Sequence, residues 1–302
     1  MGIGINELRA LAFGRRLEIL QLNQTVTLGR QQLLLSHSDY DQLFRIPIVN
    51  RIEFPDDGFS EPLLKSLDAS VVESIDASDY EGASIITDFN KPLEYEHHAK
   101  FTSFVDFGAM EHIFDPRQVI LNINKILQTN GSVLISTPAN GFLGHGFYQF
   151  SPEFFYGAFS HENGFSQTIV ILIDVNRSEE WHYVKKPSVL QDRNHTPNKK
   201  YYTVCFSKKI NTVERISAQQ SDYLNLLWNQ REYKYILPPK PAKRGIKHGI
   251  KSFIFQRSPT LLQDLWTHYR EEKRYSETFE RQTVTFNPDS VSSRDLRAIA
   301  FS

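Results

Sequence analysis

The chain has 302 residues with nearly balanced charge, 34 Lys and Arg against 35 Asp and Glu, so nothing in its total charge draws it toward nucleic acid or an anionic membrane. A hydrophobic share of 40% and an aromatic share of 13% support the packed core of one large domain, or of one domain with an appendage. The single cysteine, Cys205, excludes an internal disulfide and a cysteine-built zinc centre, and no metal site is expected. Without a signal-peptide core or an apolar run of about 18 residues, the expectation is a cytoplasmic protein with no membrane span.

In chain order, residues 5–20 carry Leu8, Leu11, Leu17 and Leu20 at helical spacing and read as an amphipathic helix. Residues 25–29 (TVTLG) read as a buried strand, and a short helix follows over 61–67 with Ser60 as its cap. Further strands are expected at 70–78, 83–89 and 101–110. The stretch 115–127 is the clearest helix. Asp115 suits the cap, Pro116 the first turn, and Val119, Ile120, Ile123, Ile126 and Leu127 form one stripe. The TNG turn at 129–131 stops it, and strands follow at 132–138, 168–175 and 201–209. Residues 176–200 are polar and read as an extended loop, so the last two strands can pair antiparallel.

Short apolar strands alternating with helices predict an α/β fold: a doubly wound, mostly parallel seven-stranded Rossmann-like sheet, its last strand antiparallel. The reading divides the chain into a domain over 1–210 and a helical C-terminal extension over 211–302. In the extension, helices over 213–236 and 258–282 flank a basic run, and the tail from Thr283 reads as poorly ordered.

Open α/β sheets bind ligands at the carboxyl ends of their strands, where strand order reverses. The residues at those ends are Gly29, Asp76, Asp88, then Asp106, Gly108, Glu111 and His112, and finally Thr137 and Pro138. The segment FVDFGAMEHIFDPRQVILNINKILQTNGSVLISTPAN (104–140) resembles the strand, Glu-His turn, helix, glycine turn and strand of class I S-adenosylmethionine-dependent methyltransferases. The resemblance covers roughly residues 20–210 and implies S-adenosylmethionine as cofactor. By that resemblance Asp76 holds the ribose hydroxyls and Asp88, with Phe89, reads the adenine. The loop from Asp106 through Gly108 to Glu111 would meet the methionine end.

The first loop departs from the family pattern. The family places an acid and several glycines there, so that backbone can approach the cofactor. Here the sequence is TLGRQ, and Gly29, Arg30 and Gln31 are the only residues that could serve. Gly29 to Asp76 is also a longer interval than the usual ~20 residues. Two functions follow: methyl transfer to an O or N atom of a small-molecule or sugar acceptor, or a methyltransferase-like binding or scaffold protein without catalysis. A nicotinamide-dependent enzyme fits less well, because a pyrophosphate needs the missing glycines.

The aromatic and glycine-rich loop at 139–159 follows the fifth strand and reads as a substrate wall. In it His145 is the candidate general base, with Tyr148 and, from the Glu-His turn, His112 also facing the acceptor. The run 234–257 carries Lys234, Lys240, Lys243, Arg244, Lys247 and Lys251 with no acid. It reads as a solvated linker, or as a holder of an acidic or phosphate-bearing acceptor or partner. Nucleic acid is disfavoured because the rest of the chain is not basic. Neither the acceptor's identity nor the oligomeric state is legible in the sequence.

Overall fold

The computed structural model describes residues 2–35, 57–186, 199–218 and 283–291. The expected helix over 258–282 and the basic run lie outside the described residues. So does the expected helix over 213–236 beyond residue 218, and its described first residues are not helical.

Eleven strands are described. β1 (Gly2–Ile3) pairs in parallel with β3 (Gln32–Leu33) in a small separate sheet. The other nine are β2 (Gln24–Leu28), β4 (Val71–Asp76), β5 (Ile85–Ile86), β6 (Phe101–Phe107), β7 (Leu127–Asn140), β8 (Phe165–Asp174), β9 (Trp181–Val184), β10 (Tyr201–Lys209) and β11 (Thr283–Phe286). They form one sheet in the order β11-β9-β8-β10-β7-β6-β2-β4-β5. The pairs among β5, β4, β2, β6 and β7 are parallel, whereas β10 runs antiparallel between β7 and β8. This is a Rossmann-like α/β fold with the expected antiparallel last strand. Strand order reverses between β2 and β6, so their carboxyl ends frame the switch point.

The strands are apolar on both sides because both faces are covered. Side chains alternate across the sheet: Val105, Leu134, Ile171 and Phe206 face one core, whereas Phe104, Val133, Val170 and Cys205 face the other. The first core is closed by α1 (Ile5–Arg16) and α2 (Glu61–Ser66). The second is closed by α3 (Pro116–Ile126) and α4 (Pro152–Ala158). The start of α3 is as the sequence indicates. Pro116 occupies the first turn, and the Asp115 carboxylate accepts the Gln118 backbone N–H at 3.0 Å. Ser60 precedes α2 but makes no side-chain cap.

Several expectations are corrected. The third strand of the main sheet is two residues, 85–86, rather than 83–89, because Asp88 turns the chain by accepting Asn90 N–H at 2.9 Å. The TNG turn survives as an outward loop inside β7. Phe101 faces Leu127 and Ser103 faces Ser132, so the residues between bulge out, with Asn130 at φ +67°. The stretch 176–200 contains a strand, β9, and the chain from Thr283 forms β11 beside it. The sheet therefore extends by two strands beyond the expected seven. Trp181, fully buried against Phe13 at 5.3 Å and Phe286 at 6.1 Å, anchors that edge.

Candidate functional site

Two clefts adjoin at the carboxyl ends of the parallel strands and share His112. The first, about 280 Å³, runs from the end of β2 across β4 to the segment after β5. Gly29, Asp76, Asp88, Phe89 and His112 line it, with Leu28, Ile75 and Ile113 as apolar wall. The second, about 300 Å³, is lined by Glu7, Gly108, Glu111, His112, His145 and Tyr202 among others.

The first loop solves its glycine shortage by folding onto itself. Gly29 takes φ +67°, a left-handed value that favours glycine, and its N–H donates to Ile75 O at 2.7 Å. Its carbonyl accepts the Thr27 hydroxyl at 2.8 Å. The Gln31 amide, buried beneath the turn, donates to Leu28 O at 2.6 Å. Gln31 thus shapes the turn and does not line the cleft. Arg30 departs from the expectation more clearly. Its guanidinium leaves the cleft, bonds Glu61 and Asp57 at 2.6 Å each, and stacks over Phe59 at 3.8 Å. Those two carboxylates draw it outward, so no cation stands at the turn. Arg30→Ala is expected to cost ~1 kcal/mol by leaving Glu61 unpaired, and Arg30→Lys to recover little of it because lysine has no planar fork. Chemical unfolding measures both.

Asp76 ends β4 with Oδ1 accepting Ser78 N–H at 3.2 Å. Among the described residues no partner of Oδ2 is found. Asp88 accepts Asn90 Nδ2 at 2.9 Å as well as its backbone N–H, and these bonds hold its carboxyl below the usual range. The loop behind it is fixed by Asn122 of α3, which lies 1% exposed on a helix whose other buried residues, Asn124 apart, are apolar. Its Oδ1 accepts Leu93 N–H at 3.0 Å, and its Nδ2 donates to Lys91 O at 2.8 Å and Phe89 O at 3.3 Å.

After β6 the chain makes the Glu-His turn. Asp106 is fully buried and accepts the N–H groups of Ala109 at 2.8 Å and Met110 at 3.1 Å. It holds the turn from below and lines neither cleft. Burial, and after it the charge of Glu111, pushes its carboxyl well above the usual range. Glu111 is also fully buried, with Oε2 accepting the Thr137 hydroxyl of β7 at 2.9 Å. Its Oε1 has no hydrogen bond and lies 3.6 Å from His145 Nε2. The 141–148 loop docks on the same residue, Phe147 N–H donating to Glu111 O at 2.8 Å. His112 and His145 thereby come to a ring separation of 5.1 Å. Tyr148 does not face the clefts, because its hydroxyl donates to Phe114 O at 2.7 Å and braces the loop.

Sequence reasoning missed the contribution of the N-terminus. Glu7 in the first turn of α1 lines the second cleft, accepting Gly4 N–H at 3.1 Å and the Ser136 hydroxyl at 3.3 Å. Burial raises its carboxyl above the ordinary range. Tyr202 of β10 was missed too. Burial first, then the charges of Glu111 and Glu7, push its hydroxyl up to about 12, so it stays a neutral donor at pH 7. The Gly-x-x-Glu spacing at 4–7 was the available signal for Glu7.

No protein-family model matches the chain, and no curated protein does. Solved structures do. A SAM-dependent methyltransferase from Thermotoga maritima is 14% identical with a TM-score of 0.35, covering 68% of this chain and 91% of its own. A 1,6-didemethyltoxoflavin-N1-methyltransferase from Burkholderia thailandensis, bound to S-adenosylhomocysteine, is 11% identical with a TM-score of 0.35, covering 68% and 79%. The [4+2]-cyclase SpnF is 12% identical with a TM-score of 0.39, covering 68% and 81%. At this distance the fold assignment rests on the strand order itself. Among the described residues, no helix is long and apolar enough to cross a membrane.

Proposed function

We propose that the chain binds S-adenosylmethionine in the first cleft and transfers its methyl group to an O or N atom of a small-molecule or sugar acceptor in the second. The observation that carries this reading is the placement of Gly29, Asp76, Asp88 and Phe89 around one cleft at the switch point. The residues present fit the cofactor. Asp76 offers a carboxylate suited to a vicinal diol. Phe89, Leu28, Ile75 and Ile113 offer apolar surface for the adenine, with Asp88 available to its amino group. The outward turn of Arg30 removes a positive charge that would repel a sulfonium. Glu7 and Glu111 supply negative charge or buried acceptors on the other side.

When bound, the cofactor supplies a methyl group activated by a cationic sulfur. The chain's own work is then positioning and exclusion of water. Gly108, just past the end of β6, lines the second cleft, and His112 borders both. The acceptor lies among Tyr202, His145 and His112, and the 141–148 loop forms its wall. The proton released by an acceptor hydroxyl or amine passes to an imidazole there; the His145 side chain is 49% exposed.

Asp76→Ala is expected to weaken S-adenosylhomocysteine binding roughly ten- to a hundredfold, since two hydrogen bonds to a charged acceptor are lost. Calorimetric titration of the variant beside Asp79→Ala, a nearby control, reads this directly. Equal affinity of Asp76→Ala and the unmodified protein would refute the site assignment.

A further inference from the structure

We propose that Glu111, His112 and His145 form a binding site for one divalent transition-metal ion, of the zinc or cobalt type, at the mouth of the second cleft. The ligand atoms of these three side chains all lie within 4.8 Å of one another. That spacing lets one ion reach each of them at about 2.1 Å with small rotamer changes.

Glu111 supplies the strongest argument. Its carboxylate is wholly removed from water, yet only Oε2 has a hydrogen-bond partner. Oε1 faces His145 Nε2 at 3.6 Å, too far for a hydrogen bond. Among the described residues, no lysine or arginine pairs with it. A buried carboxylate oxygen without a partner costs free energy that a fixed cation would offset. Thr137 meanwhile orients the carboxylate through Oε2, leaving Oε1 turned to the two imidazoles.

The two histidines arrive from separate segments that are stapled together. His112 follows Glu111 on the turn after β6, whereas His145 sits between Gly144 and Gly146 in the loop after β7. Phe147 N–H and Tyr148 N–H both donate to Glu111 O, at 2.8 and 3.3 Å, so the loop is docked on the very residue that supplies the carboxylate. Such bracing by neighbouring hydrogen bonds preorganises metal ligands.

Two imidazoles and one carboxylate favour zinc, cobalt or manganese over magnesium or calcium, which prefer all-oxygen shells. Three protein ligands leave at least one position open to the cleft, as in a catalytic rather than a structural site. Resting on the methyl-transfer reading, that position would take the acceptor's oxygen and ease loss of its proton. His145 Nε2 would then be a ligand rather than a base, and the proton would leave to solvent. Metal binding itself does not depend on that reading.

The test is titration of the metal-free full-length protein with Co2+ in the absence of any cofactor, followed by visible absorption and then by displacement with Zn2+. One saturating equivalent, displaced by Zn2+, is expected. His112→Ala, His145→Ala and Glu111→Gln should each weaken it at least about tenfold. His145 is exposed enough that its replacement leaves the fold intact, which keeps the test valid if Glu111→Gln unfolds. His97→Ala, in the other His-carboxylate cluster with Glu94 and Glu96, should change nothing. Absence of saturable binding, His145→Ala binding like the unmodified protein, or loss of the signal in His97→Ala would each overturn the proposal. Because no cofactor is present, failure here leaves the methyl-transfer reading standing, and success does not rescue it.

Discussion

Asn122→Ala is expected to lower the unfolding free energy by about 3 kcal/mol and to weaken S-adenosylhomocysteine binding about tenfold or more. The side chain is buried on α3, and all its hydrogen-bonding capacity is used. Oδ1 accepts Leu93 N–H at 3.0 Å and Gln118 Nε2 at 2.8 Å, and Nδ2 donates to the carbonyls of Lys91 and Phe89. Truncation strands three backbone groups of the segment after β5, each costing about 1–3 kcal/mol where water cannot replace the partner. That segment carries Asp88 and Phe89, so the loss reaches the first cleft. Gln118→Ala removes only one of these bonds and should cost less than about 1 kcal/mol. Denaturant unfolding and calorimetry on both variants separate the two. Similar losses for the pair, or native stability in Asn122→Ala, would contradict the assigned role.

Gly146→Ala is the second large effect. Gly146 has φ +79°, and a Cβ there would stand 2.8 Å from the Glu111 carbonyl oxygen and 3.1 Å from its Cγ. Strain and collision together should cost about 2 kcal/mol of loop docking, roughly thirtyfold in amide protection. The readout is hydrogen exchange at Phe147 and Tyr148, whose N–H groups donate to Glu111 O. Gly144→Ala is the control. Its φ of +83° carries similar backbone strain, but nothing lies within 4 Å of the new Cβ. It should lose about 1 kcal/mol, roughly fivefold in protection. Equal exchange in the two variants would mean that close approach to Glu111 does not fix the loop.

The sequence pattern carries much of this architecture because the central strands are covered on both faces. Near-continuous apolar runs such as Ser132–Ile135 and Thr168–Ile173 then mark strands without ambiguity. The acids at the ends of β4 and β5 were legible by position alone. What was not legible depends on partners far away in the chain. β9 is only four residues long, set in a polar stretch, and becomes a strand by pairing with β8 and with residues about a hundred positions later. The direction of Arg30 is set by Asp57 and Glu61, which no local pattern in TLGRQ announces. Asp106 and Glu111 stand five residues apart and look equivalent in sequence. In the fold Asp106 is spent on two backbone N–H groups, whereas Glu111 keeps one oxygen turned to the imidazoles. Tyr148 failed as a cleft residue for a similar reason: its hydroxyl is already engaged by Phe114 O.

The most direct test of the central claim is calorimetric titration of the unmodified full-length protein with S-adenosylhomocysteine, beside an equal titration with a nicotinamide dinucleotide. One site of micromolar affinity is expected for the first ligand and none for the second, because the turn at Gly29 lacks the further glycines that a pyrophosphate cradle needs. No binding of S-adenosylhomocysteine at millimolar concentration, or preferential binding of the dinucleotide, would contradict it.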